Sequence, residues 1–424
     1  MSETLFAYTI TDAGYTKGTA GAISGERNAA TPAAFTVQKD KITLLNGDPA
    51  VFNFFDNSNQ SSLVLRQYTY STTNLRPNQI INPFATSWVP AIAEQTWSDV
   101  ANLNTVATKG KWLYASGYDL GRIAVVDMSD SYKEKRSYQF PTAWPGISVP
   151  AGAACHGEGL TIVGNFLYAL FTINPEGGYA VYADSILVKF TINTLTGALT
   201  YVSHIEVGKN AFTLDHFDNK LYICAVGGMQ NAGSANADTR LDIVDLSTFT
   251  KTSVSTIPSI GGDFRDITIK DANTVYIFAG HYDGTFANML GGVYHTSVAN
   301  IPSPASWTKI ANVSSPGYLW GIYAETNRLW FVKGTPVEIF APLPTAAAFP
   351  VKAFAAGEMG NFGSNANLNS ATVVAPNPAA VAGVTMEAAV VKSFAGHAIL
   401  AQQARKAAEA LKATAEAAAG EEEK

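Results

Sequence analysis

Charge is what this sequence has least of: Lys, Arg, Asp and Glu make up 15% of its 424 residues, against roughly 25% in an ordinary soluble domain. Ser, Thr, Asn and Gly fill the polar positions instead, a balance expected of an extracellular or cell-surface protein. The cations are scattered and the net charge is −6, so the basic stripe of a nucleic-acid binder is missing and that partner is discounted. There are only two cysteines, Cys155 and Cys224. They cannot build a disulfide framework, and without CxxC spacing they give no sign of zinc or haem, so each reads as a buried thiol. No stretch approaches the roughly 20 apolar residues that cross a membrane as a helix. Met1-Ser2-Glu3-Thr4 shows no basic region leading into an apolar run, so no signal peptide is visible. No GxSxG, strand-to-helix GxGxxG, Walker loop or metal-spaced group of carboxylates and histidines occurs in a supporting context, and no metal or cofactor is expected.

What the sequence has is repetition. An apolar residue followed by an aromatic recurs as Leu113-Tyr114, Leu167-Tyr168, Leu221-Tyr222, Val275-Tyr276 and Leu329-Trp330, each step being 54 residues. Two positions earlier stand Lys111, Asn165, Asn219, Asn273 and Asn327; Asn tolerates the left-handed backbone of a tight hairpin, so a turn is expected there. Around each turn lie two short strands, such as Leu160-Thr161-Ile162-Val163 and Phe166 to Phe171. Third strands follow at Ile123 to Val126, Ile186 to Ile192, Leu241 to Val244, Gly292 to Tyr294 and Val337 to Phe340, and a fourth is clearest at Leu199 to Val207. Four short antiparallel strands per unit, repeated without intervening helices, describe the blades of an all-β propeller, in which stacked blades bury a core that none could bury alone.

Lys41 to Tyr70 reads as a sixth blade, with Asn46-Gly47-Asp48 as its first turn. The N-terminal Leu5 to Thr11 matches the third strand Leu187 to Asn193 and has no partners before it, so it must complete a blade begun at the far end of the chain. Thr372-Val373-Val374 and the residues around Gly383 are expected to supply the inner strands of that blade, which gives seven four-stranded blades; the alternative, in which the N-terminal strand docks on the sixth, gives six. The propeller is expected over 1–375, with 376–385 as a linker or part of the closing blade. Residues 386–424 are Ala-rich with helix composition, expected to form a C-terminal helix that packs on the propeller or serves self-association.

The blade pattern resembles the YVTN-type and lactonase-like β-propellers, over Ile42 to Ala356, although Val163-Gly164-Asn165 and Phe217-Asp218-Asn219 replace the Asp-Gly turn of that family. The resemblance implies a fold and says little about chemistry.

In a propeller the inner strand begins on the face where the loops between second and third strands also emerge. Those loops are long at 174–184, 227–239 and 280–290, and such length is uncommon unless a loop binds something. They carry Tyr179, Tyr182, Asn231, His281 and Tyr282, and Trp320 lies on the same face. Aromatics and amides with little charge suit a protein or glycan partner, which makes a non-catalytic binding or structural propeller, as part of a larger assembly, the first expectation. The second is a lactonase- or isomerase-like enzyme in the central funnel. There His156 and Glu158 would shuttle protons while Arg265, beside Asp266, held an anion. Its competitor is structural: Arg265 and Asp266 as an ion pair between blades, with Glu158 turned into a seam.

Overall fold

The computed structural model describes residues 3–374, apart from 27–34, 45–46, 48, 67–77, 91, 96, 98–99, 101, 145, 176–180, 229–232, 257–258, 286, 317–319, 326, 334–335 and 365. The described strands form seven antiparallel sheets of four. In six of them the chain runs outward in sequence order. Blade 2 comprises Ala50–Phe55, Ser61–Arg66, Asn78–Ile81 and Ile92–Gln95; blade 3, Leu103–Lys109, Trp112–Gly117, Arg122–Asp127 and Lys133–Gln139. Blade 4 comprises Ala154–Val163, Phe166–Asn174, Asp184–Ile192 and Leu199–Lys209; blade 5, Ala211–Phe217, Lys220–Ala225, Arg240–Asp245 and Thr250–Val254. Blade 6 comprises Phe264–Asp271, Thr274–Tyr282, Asn288–Thr296 and Thr308–Pro316; blade 7, Trp320–Ala324, Leu329–Lys333, Val337–Phe340 and Lys352–Phe354. First strands of successive blades lie against one another, which makes them the inner lining of a ring. The molecule is therefore a seven-bladed propeller.

Blade 1 is the exception and the lock. Its inner strand, Asn367–Val374, comes from the far end and pairs antiparallel with Glu3–Thr11, followed outward by Gly18–Glu26 and Thr36–Leu44. The N-terminal segment thus completes a blade begun by the far end, but as its second strand rather than its third. Thr372-Val373-Val374 supplies inner-strand residues, while Gly383 and the Ala-rich helix over 386–424 lie outside the described residues. The Lys41 to Tyr70 unit needs correction. Ile42 to Leu44 ends the outermost strand of blade 1, and blade 2 opens at Ala50, so Asn46-Gly47-Asp48 falls between blades instead of inside one. A hairpin and a blade-to-blade crossing look alike in a single sequence.

The 54-residue pair owes its form to strand geometry, since successive side chains leave opposite faces of a strand. The apolar members Leu113, Leu167, Leu221, Val275 and Leu329 pack toward the preceding blade. The aromatics Tyr114, Tyr168, Tyr222, Tyr276 and Trp330 pack toward the following one. Two of the tyrosines also reach the outer hairpin of that next blade: Tyr114 Oη donates to Gly197 O at 3.2 Å and Tyr276 Oη to Pro344 O at 3.0 Å. A buried tyrosine needs such a partner. Trp330 closes the ring by stacking on Phe6, with centroids 4.8 Å apart and planes 7° from parallel.

The turns follow a different rule from the one expected. Of the Asn residues two positions before the pairs, Asn219 is left-handed (φ 57°), whereas Asn165 and Asn273 are not. In blades 3 and 4 the preceding residue takes that conformation, Gly110 at 56° and Gly164 at 58°, where the absence of Cβ removes the cost.

Blade 7 holds a buried ion pair beside the seam with blade 1. Arg328 Nε lies 3.3 Å from Glu325 Oε2, which also accepts from Trp330 Nε1 at 2.9 Å, and the guanidinium sits 5.4 Å from the centre of the Phe35 ring. Removing one member leaves the other charge uncompensated in a dry site, so Glu325→Ala is expected to cost about 3–5 kcal/mol, read as a lowered urea midpoint; an unchanged midpoint would mean water reaches Arg328.

Candidate functional site

The seams between blades decide where polar inner-strand residues point. At the seam of blades 3 and 4, Glu158 is buried. Its Oε2 accepts from Asn104 Nδ2 of blade 3 at 2.7 Å, and its Oε1 from Thr172 Oγ1 of its own blade at 3.2 Å. Burial outweighs these hydrogen bonds and pushes its pKa up to about 8, so at neutral pH the carboxyl is mostly protonated. His156 lies at the same seam, its ring stacked on Tyr118 with centroids 4.4 Å apart and its Nδ1 donating to the Tyr118 carbonyl at 3.2 Å. Burial holds its pKa below the ordinary histidine value.

Arg265 and Asp266 take opposite directions at a bulge: Phe264 and Asp266 face the consecutive residues Ala279 and Phe278, which leaves Arg265 as the extra residue and re-aims its side chain. Asp266 Oδ2 accepts from the Ile322 N–H of blade 7 at 2.8 Å and Oδ1 from Ile267 N–H at 2.9 Å. Arg265 instead turns to the loop face of blade 6, with Nη2 donating to Asp263 Oδ2 at 3.0 Å and Nε to Gly280 O at 3.0 Å; its guanidinium lies 5.5 Å from the Tyr282 ring centre. The Arg265 partner is thus Asp263 rather than Asp266. Of the four residues of the enzyme reading, the structure brings His156 and Glu158 to one seam, Asp266 to another and Arg265 to the loop face.

That face carries a connected rim over blades 4 to 6. Tyr182 N–H donates to Gly228 O at 2.8 Å, linking blade 4 to the loop of blade 5, and Gly233 N–H donates to Tyr282 O at 2.8 Å, linking that loop to blade 6. Asn236 fastens the same loop from below, its N–H and Nδ2 donating to the two oxygens of Asp263 at 2.6 and 3.2 Å. Burial raises the Asp263 pKa against the pull of Arg265. Tyr182 is buried against Phe212 and Val226, and Tyr282 is nearly buried beneath Arg265; both prop the rim from within. His281 is half-buried beside them. Trp320 opens the inner strand of blade 7 opposite Lys333, and Tyr179 and Asn231 lie outside the described residues.

The loop expected over 280–290 is shorter than the sequence suggested. Gly280, His281 and Tyr282 continue the ladder opposite Gly291, Leu290 and Met289, leaving only Asp283 to Ala287 as the turn, which Asp283 ties by accepting from Thr285 and Ala287 N–H at 3.1 and 2.9 Å. A Cβ on Gly291 would meet the Ala279 carbonyl at 2.2 Å; the glycines that looked like loop are there for close strand approach.

Sequence reasoning missed Asp263, Asn236, Arg66 and Asn174. Arg66, buried in blade 2, donates from Nη1 to Asn102 Oδ1 and Leu103 O, each at 2.6 Å, across the next seam. Asn174 ends the second strand of blade 4 with a buried amide that has no protein partner at either Nδ2 or Oδ1, a group that water or a bound molecule would satisfy. The sequence offered one signal for them, an Asp two residues before Arg265. Among the described residues no three His, Cys, Asp or Glu side chains gather as metal ligands, and no helix is long and apolar enough to cross a membrane. Cys155 and Cys224 lie in neighbouring blades and form no disulfide; Cys224 is buried as expected, while Cys155 is only half-buried, and desolvation pushes its thiol up to about 11.

No protein-family model matches the chain, and no curated protein matches it. Solved structures do. A protein from Lactobacillus plantarum aligns over 83% of this chain and 97% of its own, at 10% identity with a TM-score of 0.52. Two candidate 6-phosphogluconolactonases, from Bacteroides uniformis and Bacteroides fragilis, align over 83% and 80% of this chain and 99% and 91% of theirs, at 10% and 13% identity with TM-scores of 0.46 and 0.44. At these identities the likeness is one of fold alone, and it is carried by the Lactobacillus plantarum protein, whose match spans nearly all of that chain.

Proposed function

We propose that this is a binding propeller whose working surface is the rim of blades 4 to 6, acting without catalysis on a protein or glycan partner at a cell surface or outside the cell, within a larger assembly. The observation that carries this reading is the pair of main-chain bonds joining three successive blade tops, Tyr182 to Gly228 and Gly233 to Tyr282. They tie blades 4, 5 and 6 together at Tyr182, Gly228, Gly233 and Tyr282 before any partner arrives, and such preorganisation lowers the entropic cost of binding. The low charge of the chain suits such a surface, and the division of His156, Glu158, Arg265 and Asp266 among separate partners speaks against a single proton-transfer centre.

One observation favours the enzyme reading instead: Glu158 is a buried acid with its pKa raised to about 8, the property of a general acid working near neutrality. A single set of variants separates the two. Under the binding reading, the protein retains a glycan or peptide on arrays, and Asn236→Ala and Asp283→Ala, which loosen the rim, weaken retention by roughly tenfold while Glu158→Gln leaves it unchanged. Hydrolysis of δ-gluconolactone that disappears in Glu158→Gln would replace the binding reading with the catalytic one.

A further inference from the structure

Blade 1 carries a cavity of about 480 Å³ on the same face as the rim but away from blades 4 to 6. Its walls come from both ends of the chain. Thr16 and Lys17 belong to the turn between the strands Glu3–Thr11 and Gly18–Glu26, Asp40 and Thr43 to the outermost strand, and Asn361 and Phe362 to the segment leading into the closing strand. Each wall is held locally. Asp12 ties the turn by accepting from Thr16 N–H at 2.6 Å and Lys17 N–H at 3.2 Å. Asp40, left-handed at φ 50°, sits where the outer strand bulges from its partner, and it accepts from Asn361 Nδ2. Lys39 beside it donates to Gly357 O at 2.8 Å.

We propose that this cavity binds a neutral saccharide of one or two rings. Its volume lies within the range of small-molecule sites, roughly 300–1,000 Å³. The lining balances one cation, Lys17, against one anion, Asp40, so it offers no net pull on a phosphate or a metal ion. Hydroxyl, amide, carboxylate and amine together supply both donors and acceptors, the mixture that neighbouring sugar hydroxyls require. Phe362, half-buried against the core of blades 7 and 1, gives the C–H face of a ring an apolar platform. A ligand bridging these walls binds only the closed ring, and so stabilises it by mass action.

The test uses the full chain with maltose, cellobiose, lactose and N,N′-diacetylchitobiose as probes, followed by saturation-transfer NMR and calorimetry. At least one of the four is expected to bind with a Kd of about 1 mM or tighter and to raise the melting temperature. Lys17→Met, at an exposed side chain outside the core, and Phe362→Ala are each expected to weaken binding by roughly tenfold; if Phe362→Ala fails to fold, Lys17→Met alone decides. Leu195→Ser, at an exposed side chain in the outer hairpin of blade 4, leaves this binding unchanged. The proposal is overturned if none of the four binds at about 10 mM, if binding survives both cavity variants, or if glucose 6-phosphate binds more tightly than any of them. Loss of sugar binding in Asn236→Ala would also overturn it, placing the sugar at the rim.

Discussion

Between pH 6.5 and 8 the protein is expected to lose stability as the solution becomes more alkaline, and Glu158→Gln is expected to remove most of that loss. Glu158 has a pKa of about 4.5 when unfolded and about 8 when folded. Above pH 4.5 the unfolded chain releases this proton while the folded chain keeps it, so unfolding gains ground with each pH unit until the folded carboxyl ionises near 8. One such group contributes a slope of about 1.4 kcal/mol per unit.

His156 works in the opposite sense. Its folded pKa lies below its unfolded value of 6.5, so its contribution is complete above 6.5 and is lost as pH falls. Below 6.5 the two residues of one seam offset each other; above it Glu158 acts without that opposition. Urea midpoints at three pH values across this window provide the measurement. A wild-type midpoint that stays level would show that Glu158 is already ionised in the native seam, and with it the case for a buried acid would fall.

The second large effect concerns closure. A chain ending at Val374 is expected to fold as a cooperative unit, and one ending at Ala366 is expected not to. The strand Asn367–Val374 pairs with Leu5 to Thr11 and buries Leu368, Ala371, Val373 and Val374. It also holds the next blade, since Ser370 Oγ accepts from Val51 N–H at 3.1 Å and Asn53 Nδ2 donates to Val373 O at 3.4 Å. Without it the N-terminal strand becomes an open inner edge, and blades 1, 2 and 7 lose the surface they close on. Circular dichroism and a denaturation curve on the two truncations decide the matter. Cooperative unfolding of the shorter chain would mean that six blades close by themselves.

Particular residues show how far a single sequence carries this argument. The pairs from Leu113-Tyr114 to Leu329-Trp330 announced five blades because one strand must present an apolar residue to the blade before and an aromatic to the blade after, a demand that repeats with the structure. Leu5 to Thr11 was legible as a strand lacking partners, yet not as a second strand, because position within a blade depends on what it pairs with. Gly280 to Leu290 looked like a loop through its glycines; pairing across Gly280 and Gly291 turned most of it into ladder. Arg265 and Asp266 looked like an ion pair by adjacency, but a bulge at Arg265 sends them to different surfaces, and the partner of Arg265 is Asp263.

The sequence alone determined the local and the periodic: strands of alternating character, their repeat of 54 residues, and hence a ring of stacked sheets, because each of those features is encoded in neighbouring residues. Only the tertiary structure decided the blade count of seven, the closing strand from the far end, the seam that lifts Glu158, and the joining of three blade tops into one rim. These depend on contacts between residues far apart in the chain, whose geometry no local pattern records.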